Sequence, residues 1–223
     1  EESYIYVLVS RIDVDRTQEA SAYGSLSQLS DDSGTSHVCV ADADGMVVSM
    51  TETINTYFGS KVVVEPYDFV LNNEMDDFSS PNGANSYGLV QSEKNLPEHG
   101  KRPLSSMTPV IVMDGKSPVF LVGASGGPRI ISSVLQVLIH RLWYGMSPSD
   151  AIALERLHHQ WKPDAVYIET VNVSKLPIDS LEAKGHVIKE RRDIGIVQAI
   201  AIEDGVQLPA SDPRKGGKSA GLN

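Results

Sequence analysis

Gly34 and Thr35 stand at the head of a run, Gly34 to Asn55, that reads as two β-strands joined by a turn around Asp44-Gly45. A threonine hydroxyl is a weak nucleophile near neutral pH and needs a proton acceptor beside it. If the chain were cut between Gly34 and Thr35, the freed α-amino group, with an ordinary pKa of about 7.7 to 8.0, would supply that acceptor on the adjacent carbon. One residue would then carry both nucleophile and base, and no Ser-His-Asp arrangement is needed. Gly34 suits the cut because, without a Cβ, it tolerates a strained backbone that brings the Thr35 hydroxyl onto its carbonyl. On residue types alone the pair reads equally as a turn glycine followed by a β-branched strand residue.

Other groups capable of chemistry lie downstream. Thr51, Thr53 and Asn55 alternate along the second strand and are expected to share one face. The block NNEMDDFS, Asn72 to Ser79, holds the carboxylates Glu74 and Asp77, which suit a cationic ligand or an ordinary solvated loop. Its spacing is not that of a calcium loop, and no metal is expected. Ser105 and Ser106 offer hydroxyl donors for an anion, or simply enter a strand. Gly126-Gly127, ahead of a helix, would let two N–H groups approach a developing negative charge, or would form a phosphate-binding turn lacking the rest of a dinucleotide fingerprint. His37, His158 and His159 have no zinc spacing and read as structural. Cys39, the only cysteine, sits between Val38 and Val40 and reads as a buried small hydrophobe. Asn172-Val173-Ser174 fits a glycosylation sequon.

The elements that must position these groups follow from pattern. Thr35 to Ala43 and Met46 to Ile54 form a hairpin, and Val62 to Val64 and Phe69 to Leu71 are short strands or extended loop. Asn72 to Leu96, rich in Asn, Ser, Gly and Pro, is a long loop of the kind that usually carries function. Val110 to Asp114 and Pro118 to Val122 form a second hairpin. Apolar residues at Ile130, Val134, Leu135, Leu138 and Leu142 predict a helix over 130–144 that stops at Gly145. A second helix opens at Ser147-Pro148 and runs to about Glu155. Strands are expected at Val166 to Glu169 and Val197 to Ile202, with a helix from Ile178 to Lys184. Strands, then helices, then strands imply an α+β fold with antiparallel pairing.

With 223 residues, 41% hydrophobic and 22% charged, the chain can bury one sizeable core. A formal charge of −10 and the lack of a basic stripe argue against a nucleic-acid surface and favour small-molecule or protein partners. No apolar stretch approaches the roughly 20 residues that span a bilayer, and the start EESYIYVLVS is not a signal peptide, so any targeting segment is expected to lie outside this sequence.

Seven blocks in fixed order carry a resemblance: GTSH from Gly34, TETIN from Thr51, NNEMDDFS from Asn72, KRPLSSMTP from Lys101, GASGGPRI from Gly123, RLHHQ from Arg156 and SDPRKGG from Ser211. Over roughly Asp31 to Asn223 the chain resembles the γ-glutamyltransferases. That resemblance implies an N-terminal-nucleophile hydrolase αββα sandwich, of which this chain supplies part. It implies a precursor that cleaves itself between Gly34 and Thr35, with residues 1–34 the tail of a large-subunit region and 35–223 the small subunit. Thr35 matches the nucleophile and Thr53 its hydrogen-bonded neighbour. Asn55 matches a substrate contact, and Glu74 and Asp77 the grip on an α-ammonium, the first position being Gln or Glu in relatives. Ser105 and Ser106 match donors to the α-carboxylate, and Gly126 and Gly127 the oxyanion hole. Tyr87 matches an aromatic that closes over the pocket and bonds the Asn55 equivalent. Expected partners are glutathione and other γ-glutamyl compounds, acceptor amino acids or peptides, and a large subunit that brings a carboxylate-binding arginine; no cofactor is implied. The implied location is extracellular, periplasmic or cell-surface facing. A related acylase of the same nucleophile class, or a non-catalytic fragment, is the alternative, and the carboxylate and serine pairs argue against the acylase.

Overall fold

The computed structural model describes residues 34–80, 85–89, 93–160, 163–169 and 176–221. The expected large-subunit tail, save Gly34, and the sequon at Asn172 lie outside these residues.

The chain opens with β1 (Thr35–Ala41) and β2 (Val47–Thr53), paired antiparallel with Thr35 opposite Thr53, His37 opposite Thr51 and Cys39 opposite Ser49. The turn closes through Asp42, whose carboxylate accepts from the Asp44 and Met46 N–H groups, with Gly45 at φ 89°. Short β3 (Val63–Val64) and β4 (Phe69–Val70) pair with each other. The long loop that follows carries a 3-10 turn at Glu74–Asp77 and another at Glu93–Asn95.

Next come β5 (Val110–Asp114), β6 (Ser117–Ser125), α1 (Arg129–Leu142), α2 (Pro148–Ala153), β7 (Leu157–His158), β8 (Val166–Glu169), α3 (Ile178–Ala183), β9 (Ile188–Arg191), β10 (Ile196–Glu203) and β11 (Val206–Ser211). β5, β6, β10 and β11 build an antiparallel four-stranded sheet in the order β11-β10-β6-β5. The strand β11 escapes the sequence pattern because Pro209 interrupts it, and it lies at the sheet edge, where a missing N–H is tolerated. The expectation of antiparallel pairing fails once: β8 and β9, joined through α3, run parallel.

The helices α1 and α2 cover one face of this sheet. Phe120, Val122 and Ala124 of β6 and Val197, Ala199 and Ala201 of β10 meet Ile130, Val134 and Val137 of α1 and Ala151 and Ile152 of α2. The periodicity placed Leu135 and Leu142 on the core face, but both are exposed, and fully buried Val137 takes that place. Ser147 caps α2, its hydroxyl accepting from the Asp150 N–H at 3.1 Å. The β1–β2 hairpin packs on the opposite face of the sheet, against β6 and β10. The result is a helix layer, a sheet and a second sheet, an α+β layering in which β6 is buried on both faces. The outer face of the hairpin leaves Val38, Val40, Val48 and Met50 exposed among the described residues. No helix among those residues is long and apolar enough to cross a membrane.

Candidate active site

Thr35 is the first residue of β1 and is 6% exposed. Its Oγ1 lies 2.8 Å from Oγ1 of Thr53, the residue directly opposite in the ladder. Thr53 Oγ1 in turn accepts from the Asn55 N–H at 2.8 Å, which fixes the hydroxyl beside Thr35. Gly34 precedes it at φ 84°, where a Cβ would stand 2.4 Å from the Thr56 carbonyl oxygen, so only glycine fits.

Of the three alternating residues, Asn55 lines one cavity with Thr35 and Thr53, whereas Thr51 does not. Thr51 shares the face, but its hydroxyl is hydrogen-bonded to His37 Nδ1 at 2.7 Å. Asn55 lies past the end of β2 at φ 71°, a conformation that asparagine tolerates, so strand alternation no longer sets its direction. Its Nδ2 donates to the Asn73 carbonyl at 3.1 Å, while Asn73 Oδ1 accepts from Thr56 N and Oγ1, tying the β1–β2 hairpin to the loop that carries Glu74.

Glu74 and Asp77, at the two ends of one 3-10 turn, reach the same small cavity as Thr35 and Thr53. Burial, and then the charge of Asp77, raise the Glu74 carboxyl, against which a hydrogen bond from Thr53 works in the other direction. Burial, and then the charge of Asp76, raise Asp77. Glu74 Oε1 is buried without a hydrogen-bond partner. Asn55, Ser105, Ser106, Tyr87 and Gly127 line the same cavity.

Gly126 and Gly127, at φ 134° and 60°, form the corner between β6 and α1. Their carbonyls accept from the Arg129 and Ile130 N–H groups and begin the helix. The pair therefore stands just ahead of a 14-residue helix, at the positive end of its dipole. A Cβ on Gly126 would come within 2.8 Å of Gly195 Cα, and one on Gly127 within 2.6 Å of the Tyr87 ring. Tyr87 therefore lies across the glycine corner, and its hydroxyl donates to the Asn55 carbonyl at 3.2 Å rather than to the Asn55 side chain.

Several supporting residues were not assigned from sequence. Tyr87 is fastened from behind: its carbonyl accepts from Gln160 Nε2 at 3.2 Å, Gln160 Oε1 lies 2.8 Å from His158 Nε2, and His158 Nδ1 lies 2.8 Å from Ser132 Oγ on α1. Burial lowers the His158 imidazole. Gly195, at φ 70°, is held by Arg156, whose Nη1 donates to the Ile194 and Gly195 carbonyls at 3.1 Å. Arg156 also meets Asp212 at 2.6 Å, and Arg214 pairs with Glu169 at 2.5 Å and Asp212 at 3.1 Å, in a buried network. The blocks RLHHQ and SDPRKGG contain Arg156, His158, Gln160, Asp212 and Arg214, but nothing in their spacing indicated that one set braces Tyr87 and the other Gly195.

His37 presses its ring on Gly123, where a Cβ would lie 2.1 Å from Cε1. Burial lowers it to about 4. Cys39 departs from the apolar expectation: its Sγ lies 3.3 Å from His37 Nε2 and 3.7 Å from the Gln198 carbonyl, and burial raises the thiol to about 11, which leaves it inert at neutral pH.

Comparison with known proteins finds relatives over most of the chain. The Gamma-glutamyltranspeptidase family model matches residues 1–222. The glutathione hydrolase proenzyme of Escherichia coli (strain K12) is 38% identical over 216 residues, covering 95% of this chain and 37% of that protein. The glutathione hydrolase proenzyme of Pseudomonas aeruginosa is 42% identical over 193 residues, covering 84% of this chain and 34% of that protein. The chain thus spans about a third of the length of these curated relatives. The structure of gamma-glutamyltranspeptidase from Pseudomonas nitroreducens complexed with L-DON superposes with a TM-score of 0.79 at 39% identity, covering 84% of this chain and 99% of that one.

Proposed function

The chain belongs to the gamma-glutamyltranspeptidase family, and from that premise we propose that it is the nucleophile-bearing part of an enzyme that hydrolyses and transfers γ-glutamyl groups from glutathione-like amides. The observation that carries this reading is the shared cavity: Thr35 faces the same space as two carboxyls raised by burial, a pair of serines and a glycine corner. A γ-glutamyl group has a counterpart for each. Its α-ammonium meets Glu74 and Asp77 and supplies the partner that buried Glu74 Oε1 lacks. Its α-carboxylate meets the Ser105 and Ser106 hydroxyls, and its γ-carbonyl lies at Thr35.

Turnover then proceeds in two halves. The Thr35 hydroxyl attacks the γ-carbonyl as its own α-amine accepts the proton, and the Gly126 and Gly127 amides hold the oxyanion. Collapse releases the amine and leaves a γ-glutamyl ester on Thr35, which water or an acceptor amine resolves. Tyr87, braced by Gln160, limits access to that ester. All of this requires the Gly34–Thr35 bond to open first, since an acylated nitrogen is no base. The exposed apolar face of the hairpin is the surface we assign to the large subunit of the same precursor.

The test uses the full-length precursor. N-terminal sequencing is expected to find a fragment beginning Thr-Ser-His-Val, and the mature protein to release aniline from a γ-glutamyl anilide and not from the glutaryl analogue, which lacks the ammonium. Asp77→Ala is expected to raise KM for the γ-glutamyl substrate strongly, by about 2 to 5 kcal/mol of lost binding, with cleavage before Thr35 intact. Equal rates on both anilides would defeat the γ-glutamyl reading.

A further inference from the structure

With the Gly34–Thr35 bond intact, Thr35 has no free amine, so the base of turnover does not yet exist. The opening of that bond must draw on groups already in place. The Gly34 carbonyl oxygen accepts a hydrogen bond from the Ile54 N–H at 2.8 Å. That contact is over-determined. The register sets Thr35 against Thr53, and Gly34 holds a left-handed conformation in which any Cβ would collide with the Thr56 carbonyl oxygen.

The direction of this carbonyl matters. Ladder hydrogen bonds lie in the plane of a sheet, whereas side chains stand perpendicular to it. The Gly34 oxygen is thus turned toward β2, while the Thr35 side chain points into the cavity that Gly127 lines. An oxyanion formed at Gly34 keeps nearly the position of the carbonyl oxygen, and so faces Ile54 and not the glycine corner.

We propose that the Ile54 main-chain N–H is the oxyanion donor of self-cleavage, so that Thr35 serves two reactions with two separate donor sets: Ile54 for its own peptide bond, Gly126 and Gly127 for the γ-glutamyl ester. The inference rests on the self-cleaving reading given above. In the step, Thr35 Oγ bonds to the Gly34 carbonyl carbon and the carbonyl π pair moves onto the oxygen facing Ile54. The C–N bond then breaks as the electrons return, and the proton lost from Oγ ends on the released nitrogen. The hydroxyl of Thr53, 2.8 Å from Thr35 Oγ1, is the neighbour beside which that proton moves. The product is an ester between Gly34 and Thr35 Oγ. Water adds to it and leaves the Gly34 carboxylate, the Thr35 hydroxyl and one proton.

The experiment replaces Ile54 by its α-hydroxy acid in the full-length precursor, which deletes the N–H while keeping the side chain. A second form carries the same exchange at Met50, paired with Val38 in the same hydrogen-bonding class of the ladder. Appearance of the Thr-Ser-His-Val fragment is followed by mass spectrometry. The Ile54 ester is expected to mature about 10²- to 10³-fold more slowly, the usual loss for one oxyanion donor, and the Met50 ester at the unaltered rate. Material that has matured is expected to keep its kcat on a γ-glutamyl anilide. Unaltered maturation of the Ile54 ester overturns the assignment, and so does equal slowing of the Met50 ester, which makes the effect one of hairpin stability. A precursor that never cleaves in unaltered form overturns instead the reading on which the assignment rests.

Discussion

Gly127→Ala tests whether Tyr87 and the glycine corner act as one unit. The added methyl would sit 2.6 Å from Tyr87 Cε1 and 3.0 Å from Cδ1 and Cζ, against an ordinary carbon contact of about 3.5 to 4.0 Å. The ring must therefore retreat by roughly 1 Å. Overpacking of this kind costs about 1 to 3 kcal/mol. Retreat also breaks the bond from the Tyr87 hydroxyl to the Asn55 carbonyl, worth about 1 kcal/mol net. A non-glycine residue at φ 60° adds about 1 to 2 kcal/mol. The collision and the lost bond together come to about 2 to 4 kcal/mol, a fall of roughly 30- to 1000-fold in kcat/KM if both are felt in the transition state. In a Tyr87→Ala background there is no ring to displace, and only the left-handed backbone cost remains. Measured as kcat/KM on a γ-glutamyl anilide across the four forms, the cycle is expected to show a coupling of about 2 kcal/mol or more. Additivity within about 0.5 kcal/mol would refute the contact.

Two further outcomes follow from buried charge. In the network behind the site, Arg156 and Arg214 are balanced by Glu169 and Asp212; Asp212→Asn leaves one uncompensated cation and is expected to cost about 3 to 5 kcal/mol, read as a fall in denaturant midpoint, and an unchanged midpoint would show that the network is not closed. His37 falls to about 4 in the folded chain from an ordinary value of 6.5, so between those pH values the unfolded chain binds the extra proton and stability falls as pH drops from 6.5 toward 4; in His37→Gln that part of the slope is expected to vanish, and identical pH profiles by urea unfolding would contradict the assignment.

What could be read in the sequence was local. Alternation and the Asp44-Gly45 turn located the β1–β2 hairpin, and Gly145 and Gly185 stopped α1 and α3 because each adopts a positive φ that other residues resist. The motif residues could be named because each matched a family block, and the fold brings Thr35, Thr53, Glu74, Asp77 and both serines to one cavity. What stayed hidden depends on contacts between segments far apart. Neither Gly195 nor Glu169 carries a local signature; Gly195 gains its meaning from Gly126, and Glu169 from Arg214, 45 residues on. Cys39 misled for the same reason, since the Val38 and Val40 beside it face away while its thiol meets His37 and the next sheet. The helix face of α1 was misjudged because Leu135 and Leu142 are apolar but unburied here, and periodicity cannot tell a core face from an apolar face directed elsewhere.

The strand β6 explains how Thr35 on one sheet is kept in step with a glycine corner on the other. Its residues alternate between layers: Phe120, Val122 and Ala124 meet the helices, while Gly123 meets the His37 ring. Because the period is two, a slip of one residue would exchange these sets and drive Val122 or Ala124 into the imidazole. At Gly123 even a Cβ, 2.1 Å from the ring, cannot be accommodated. The register of β6 against the hairpin is therefore locked at one residue. His37 lies two positions from Thr35 on the same strand face, and Gly126 lies three positions past Gly123 along the chain. The lock at Gly123 thus sets the offset between hydroxyl and amides, and the buried Arg156 network, by holding Gly195 under Gly126, fixes the corner from the other side. This makes glycine the informative residue type in this fold: at 34, 123, 126, 127 and 195 the requirement comes from a neighbouring atom that leaves no room for a side chain.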